Sequence, residues 1–277
     1  MLPASIYALS PDGRWAVYPD FRRLNQTRPG YGYAGIPDPA ENQLTPGDAG
    51  IWRMDMQTGK QKLLISFARA AQVPNLHSPW EPSAKHWFNH LLFSPDGSRF
   101  IFLHRWRGPK QGASFGTRMF TADRDGRDLH VLDPYGGTSH FIWRDRTHVL
   151  AWARHPSHGE KFYLYEDKTD KVEVIGPDVM PVNGHCTYLP GNHWILNDTY
   201  PRQDGKQQLY VYEVASGKRV ELGAFASAPP YRGEFRCDLH PRFSRDGINV
   251  VIDSAHDHGR QMYLLDIAAI IGGRGVH

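Results

Sequence analysis

Apolar and polar positions alternate along most of this chain in short runs, and the runs come in pairs joined by tight turns. Alternation with a period of two is the mark of a β-strand with one face in a core. One unit recurs: an apolar strand, a Ser-Pro-Asp-Gly type turn, and a second apolar strand. The turns are Ser10-Pro11-Asp12-Gly13, Ser94-Pro95-Asp96-Gly97 and Ser244-Arg245-Asp246-Gly247, with weaker versions at Trp143-Arg144-Asp145-Arg146 and Leu189-Pro190-Gly191-Asn192. Proline presets φ at the first corner, aspartate bonds the local backbone, and glycine accepts positive φ. A second pattern follows each hairpin, an alternating strand that ends in an acidic turn. Phe162-Tyr163-Leu164-Tyr165-Glu166, Leu209-Tyr210-Val211-Tyr212-Glu213 and Met262-Tyr263-Leu264-Leu265-Asp266 are examples. A further strand comes after it, such as Lys62–Ile65 or Arg219–Leu222.

Two hairpins make four strands, and a period of roughly 40–50 residues predicts β-propeller blades. The chain therefore reads as an all-β protein, a β-propeller forming a single domain over residues 1–277. About five four-stranded blades are recognisable, over residues 5–66, 88–134, 137–176, 184–223 and 235–267. The first blade carries an insertion rich in Pro, Gly and Tyr around Arg28–Tyr33, and a segment with Trp80 and Trp87 links it to the second. The last blade lacks an evident fourth strand, and no strand precedes Ile6 to complete it. A truncated ring that lacks blades at its N-terminus is the expectation.

Composition narrows the function classes. A formal net charge of +3 and no basic stripe argue against a nucleic-acid partner. No apolar run is long enough to span a bilayer. The first ten residues do not read as a signal peptide, which leaves a cytoplasmic or a periplasmic or secreted setting open. The 15 histidines and two cysteines change the picture more. His155, His158 and His193 fall in loops and turns. His90, His140, His185 and His240, however, open the inner strands of four successive blades. By the repeat they converge at one mouth of the central channel. Any one of them alone would as easily cap a strand or bond a neighbouring blade.

Cys237 and His240 form a Cys-x-x-His pair, and with His185 they make a thiolate-and-imidazole set suited to zinc. His256 and His258 are possible fourth ligands. Cys186 adjoins His185, and alternation prevents both from facing one ion, so His185 is preferred. The alternatives are a Cys186–Cys237 disulfide or a small buried thiol. Basic and aromatic residues cluster at His104-Arg105-Trp106-Arg107, and Arg236 and Arg242 flank the Cys-x-x-His pair. Arginine forks onto carboxylates and tryptophan stacks on sugar rings. Structural pairs with aspartates on the next blade would use the same arginines.

The blade hairpins resemble the TolB-type propeller repeat. More specifically, Asn89-His90, Leu103-His104-Arg105-Trp106, Ser139-His140, Gly184-His185-Cys186-Thr187-Tyr188 and Cys237-Asp238-Leu239-His240-Pro241-Arg242 resemble the propeller polysaccharide lyases, the oligogalacturonate and ulvan lyases. The resemblance spans roughly residues 5–267. It implies a seven-bladed ring, so that two blades are missing here. It also implies β-elimination on a uronic-acid-containing polysaccharide or oligosaccharide, with a divalent metal. The pectic enzymes use manganese in a Gln-x-x-His-x-His pattern. Here Cys237-x-x-His240-x-Arg242 stands in its place, which favours zinc over manganese.

β-Elimination needs the uronate carboxylate neutralised, the C5 proton removed and the O4 leaving group protonated. His90, His104 and His140 are the candidate bases and acids, with Tyr188 a weaker one. Arg105, Arg107 and Arg236 are candidate carboxylate clamps, with Trp106 and Arg242 beside them. The competing class is a non-catalytic TolB-like propeller, a binding or scaffold module with no need of metal. A ring of histidines at equivalent blade positions separates the two, since an inert scaffold does not require it.

Overall fold

A computed structural model describes residues 2–110, 112 and 114–272. Its strands form five antiparallel sheets, each a simple meander. The first holds β1 (Ala8–Leu9), β2 (Trp15–Tyr18), β3 (Gly50–Asp55) and β4 (Gln61–Ser66). The second holds β5 (Lys85–Phe93), β6 (Arg99–Arg107), β7 (Gly116–Asp123) and β8 (His130–Asp133). The third holds β9 (Phe141–Trp143), β10 (His148–His155), β11 (Gly159–Glu166) and β12 (Val172–Ile175). The fourth holds β13 (Thr187–Tyr188), β14 (Trp194–Asp198), β15 (Lys206–Glu213) and β16 (Arg219–Ala226). The fifth has only three described strands, β17 (Arg242–Phe243), β18 (Asn249–Ser254) and β19 (Gln261–Asp266). Three short helices, α1 (Phe21–Thr27), α2 (Phe67–Gln72) and α3 (Ala268–Ile271), complete the regular structure apart from one 3₁₀ turn. This is the all-β propeller architecture expected, with three strands in the last blade among the described residues.

The Ser-x-Asp-Gly turns form by the same bonds in three blades. Ser10 Oγ accepts from Trp15 N at 2.9 Å and Asp12 from Arg14 N at 3.0 Å. Ser94 and Asp96 repeat this with Arg99 N and Ser98 N, both at 3.1 Å. Ser244 and Asp246 do so with Asn249 N at 3.1 Å and Ile248 N at 3.2 Å. The glycine that ends each turn has φ near +70°, at 71°, 69° and 77° for Gly13, Gly97 and Gly247, where a Cβ would be strained. These hairpins join the first strand of a sheet to the second and so fix the height of the first.

Alternation then sends each sheet's two faces to two neighbours. Val17, Ile51 and Ile65 of the first sheet pack with Phe88 and Phe102 of the second. Leu103 and Met119 meet Val149 and Tyr163 of the third. Leu150 and Phe162 meet Tyr188 and Tyr210 of the fourth, and Leu196 and Val211 meet Val250 and Ile252 of the fifth. The far face of the fifth sheet is open, with Met262 and Leu264 exposed by 74% and 70%.

Two boundaries depart from expectation. β5 begins at Lys85 rather than at residue 88, and it runs through His90 with a bulge between Asn89 and Leu92. His90 therefore sits inside its strand and not at its start. The linking segment is also ordered, and its Trp80 stands edge-on to His86 at 4.8 Å.

The insertion in the first blade is pinned by one arginine. Arg23 of α1 has no exposed side-chain surface and pairs with Asp38, also buried, at 3.1 Å. It also donates to the carbonyls of His86 (2.6 Å), Ala40 (3.2 Å), Gln43 (2.9 Å) and Leu44 (2.7 Å). A guanidinium has five N–H donors, and the chain wraps around it to meet them. Replacing it by Met leaves the buried Asp38 carboxylate and these carbonyls without their donor. We expect Arg23→Met to cost about 3–5 kcal/mol of stability, read as a shifted midpoint in urea unfolding. An unchanged midpoint would contradict the role given to Arg23.

Candidate functional site

The repeat brings the four expected histidines together. His90 of β5, His140 just before β9, His185 just before β13 and His240 just before β17 form a continuous row. Successive ring centroids are 6.2 Å (His90–His140), 4.3 Å (His140–His185) and 3.8 Å (His185–His240) apart. They line a cavity of about 340 Å³ at the channel mouth, together with Tyr7 and Arg242. A cavity of about 550 Å³ lies beside the first blade, and of its three carboxylates Asp20 and Asp38 are ion-paired with Arg22 and Arg23 while Asp48 is exposed. The histidine row is the chemically richer of the two.

Two of the row's histidines hold strained backbone. His90 and His240 have φ of 51° and 41°. Such left-handed residues cost about 1–3 kcal/mol each and concentrate at functional sites. His90 takes this conformation inside β5 and His240 ahead of β17, and both imidazoles line the cavity.

Asp198, at the end of β14, organises the lower half of the row. Its side chain has no exposed surface. Its carboxylate accepts from His185 N at 2.6 Å and His240 N at 3.2 Å, and its two oxygens lie 3.0 and 2.9 Å from His185 Nδ1. The carboxylate fixes the imidazole with Nδ1–H toward it, which leaves Nε2 as the lone-pair nitrogen. A carboxylate behind an imidazole is the arrangement that orients a metal-ligating histidine. Gly184 precedes His185 because a Cβ there would stand 1.9 Å from the Asp198 carbonyl oxygen.

His185, Asp238 and His240 each present one ligand atom, and these lie within 4.8 Å of one another. Two imidazole nitrogens and a carboxylate oxygen suit a divalent cation, with Asp198 as the outer carboxylate. Cys237 is not in this group. It is buried and unpaired, and so is Cys186, so no disulfide joins them. Cys237, Asp238 and His240 lie in an irregular segment ahead of β17, in which Cys237 is turned into the interior at 2% exposure. A thiolate was the ground for preferring zinc over manganese, and that ground goes with it. His256 and His258 do not join the group either. His256 bonds Ser254 Oγ at 2.8 Å, and His258 pairs with Asp257 at 3.0 Å.

The upper half of the row is a base with its orienting groups. His140 Nδ1 lies 3.0 Å from Asn183 Oδ1, and its Nε2 lies 3.2 Å from the Tyr200 hydroxyl. The amide oxygen takes the Nδ1 proton, so Nε2 accepts from Tyr200. Burial, with His185 adding to it, pushes the His140 pKa down to about 3, so the ring is neutral at ordinary pH with the Nε2 lone pair unprotonated. Burial likewise holds the Tyr200 hydroxyl well above its usual value and so protonated. His90 is lowered by burial and by Arg105, and its Nδ1 lies 3.1 Å from the Tyr7 hydroxyl.

The remaining expected residues divide by face. His104 and Trp106 are buried with 0% and 1% exposure. His104 Nε2 meets His86 Nδ1 at 2.7 Å and its Nδ1 accepts from Arg118 at 3.2 Å, away from the row. Arg105 and Arg107 occupy the opposite face of β6. Arg105 neighbours His90 and Tyr7, while Arg107 donates to the Ser114 and Thr27 carbonyls at 3.1 and 3.0 Å. Tyr188 is buried in the core between the third and fourth sheets. Arg236 forks onto Asp238 at 2.7 Å and covers the Tyr200 ring at 5.0 Å. Arg242 lines the cavity and pairs with Asp253 at 2.8 Å. Sequence reasoning passed over Asp198, Asp238, Asn183, Tyr200 and Tyr7. Asp198 was legible from register, since continuing the Thr187–Leu196 ladder places it opposite His185.

No family model matches the chain and no curated protein matches it. Among solved structures it is similar to an oligogalacturonate lyase in complex with manganese, at 16% identity and TM-score 0.63, over 95% of this chain and 65% of that one. It is similar to the Pyrococcus horikoshii acylaminoacyl peptidase at 15% and 0.55, over 95% of this chain and 37% of that one. The tricorn protease follows at 13% and 0.56, over 96% and 25%. The chain thus spans less than two thirds of the length of each. Enzymes of unlike chemistry share the architecture, and at these identities the likeness is one of β-propeller fold.

The site makes a prediction for metal affinity. We expect Asp238→Ala or His185→Ala to abolish manganese or zinc binding in calorimetry, and Asp198→Asn to weaken it about 10–100-fold. Cys237→Ser is expected to leave it unchanged. Binding lost with Cys237 and kept without Asp238 would reverse the assignment.

Proposed function

We propose that the protein is a polysaccharide lyase-like enzyme that cleaves a uronic-acid-containing polysaccharide or oligosaccharide by β-elimination. One observation carries this reading: a neutral, oriented His140 stands against a protonated Tyr200 at one side and the His185–Asp238–His240 group at the other. The likeness to the manganese complex of an oligogalacturonate lyase supports it as a likeness of fold. A divalent cation on His185, Asp238 and His240 would neutralise the uronate carboxylate and so acidify the C5–H bond. The metal's identity, zinc or manganese, is left to the donor set of two imidazoles and one carboxylate, which takes either.

The residues then divide the proton traffic. His140 Nε2 removes the C5 proton, and the electron pair forms the C4–C5 double bond as the C4–O4 bond breaks. The departing O4 takes a proton from Tyr200. Arg105 supplies fixed positive charge beside His90. Base and acid contributions of this kind are worth about 10²–10⁴-fold each. The ligand must displace the Tyr200 hydroxyl from His140 Nε2 to enter, which keeps the base capped until then.

A second reading, a non-catalytic binding propeller, is favoured by the open face at Met262 and Leu264, which suits a protein contact. Turnover separates the two. Uronate polymers incubated with the metal-loaded protein should yield the conjugated unsaturated uronate, followed by its ultraviolet absorbance. His140→Ala should slow this by at least about 100-fold, and Tyr200→Phe by a comparable amount. No product from any uronate polymer would sink the lyase reading.

A further inference from the structure

At the end of the histidine row away from Asp238 stands a buried charge with nothing to neutralise it. Arg105 is 3% exposed, and its Nε and Nη1 have no hydrogen-bond partner. Its electrostatic neighbours are Arg28, Tyr31, Tyr7 and Tyr200, with His90 and His140 beside it. No carboxylate among the described residues pairs with it. Arg28 comes in from the insertion of the first blade. Its guanidinium lies on the Tyr31 ring at 4.0 Å and donates to the Tyr31 hydroxyl at 3.1 Å. Both guanidiniums crowd one ring, that of Phe115, with Arg28 at 5.0 Å and Arg105 at 4.8 Å from its centroid, and Arg107 stands farther out at 5.8 Å.

A stable protein does not leave a guanidinium buried and unpaired without cause. Such a group costs several kcal/mol after relaxation, and an apolar residue of similar shape is often more stable. The π-face of Phe115 offsets part of that cost, but it satisfies no N–H donor. Like charges gathered around one ring raise the cost further, and an oxyanion between Arg105 and Arg28 would offset it.

We propose that Arg105 and Arg28, backed by Phe115 and Tyr31, form a second anion subsite that takes an oxyanion of the ligand, a carboxylate or a sulfate ester. This rests on the proposed function in one respect: the first acidic group is held at the His185–Asp238–His240 end of the row, so the ligand is recognised through two acidic groups on successive units. The insertion is then part of the binding site. Gly30 of the same loop lies against Glu234, ahead of the fifth sheet, where a Cβ would meet the Glu234 Cγ at 3.3 Å. The loop therefore passes over the mouth between the first and last blades and brings Arg28 with it.

The test needs no turnover. The metal-free protein is titrated with sodium sulfate against sodium chloride at constant ionic strength, by calorimetry and thermal unfolding. Wild type is expected to bind one sulfate saturably and to rise in Tm. Arg105→Met is expected to unfold at an equal or higher temperature without sulfate, and to bind it at least about tenfold more weakly. Arg28→Met should weaken it by a smaller factor, and Arg105→Lys should bind between wild type and Arg105→Met. Next, galacturonate, digalacturonate and a glucose sulfate ester are compared on the metal-loaded protein. Digalacturonate should bind at least about tenfold tighter than the monosaccharide, and Arg105→Met should erase that advantage. Whether the glucose sulfate ester or galacturonate competes better with sulfate identifies the oxyanion. A sulfate response unchanged in Arg105→Met overturns the subsite whatever the activity. Arg105-dependent binding in a protein that cleaves nothing upholds the subsite and sinks the lyase reading.

Discussion

One buried carboxylate holds the site together. Asp198 has no exposed surface and no arginine or lysine partner among the described residues, so its charge is met by three donors from two blades. They are the amide and Nδ1–H of His185 and the amide of His240. A carboxylate is costly to bury and directional once satisfied. It therefore fixes the height of β17 against β13, the tautomer of His185 and the distance between two metal-facing groups. Without it the fourth and fifth sheets would still pack through Leu196, Val211 and Val250, but nothing would hold the two imidazoles at 3.8 Å.

The row above depends on the same logic with weaker bonds. Asn183 and Ser139 set His140, and Tyr200 caps it. The second to fifth blades thus each deliver one imidazole by repeat, and the orienting groups come largely from neighbouring segments. Catalytic constellations on propellers arise in this way because the scaffold repeats positions while the residues at them vary. Burial lowers the pKa of His90, His140 and His240, and neutral imidazoles tolerate one another at distances where imidazolium ions would repel.

The architecture was legible because its signals are local. A Ser-x-Asp-Gly turn writes its own hydrogen bonds, and alternation marks each strand's two faces. The row of histidines was legible because the repeat carries it. What was missed needed a second step. Cys237 carries the more distinctive chemistry, yet it lies in an irregular segment ahead of β17 where no strand pattern says which side chain faces the mouth, and the one that does is Asp238. His104 and Arg105 are adjacent and cannot serve one site, and the side chain that faces the row is the arginine. Asp198 stands 13 residues from His185, and only ladder register brings them together. Tyr200, two residues on, and Tyr7, from another blade, are contacts between elements that no single-strand pattern announces. His90 lies inside β5 because a bulge, invisible to alternation, turns it to the mouth.

The central claim is that successive blades build one site around a cation held by His185, Asp238 and His240. Anomalous diffraction from crystals of the metal-loaded protein tests it most directly. The account predicts a single strong peak bonded to those three side chains, with His185 Nδ1 still on Asp198. A peak bonded to Cys237, or none between His185 and His240 at saturating metal, would contradict it.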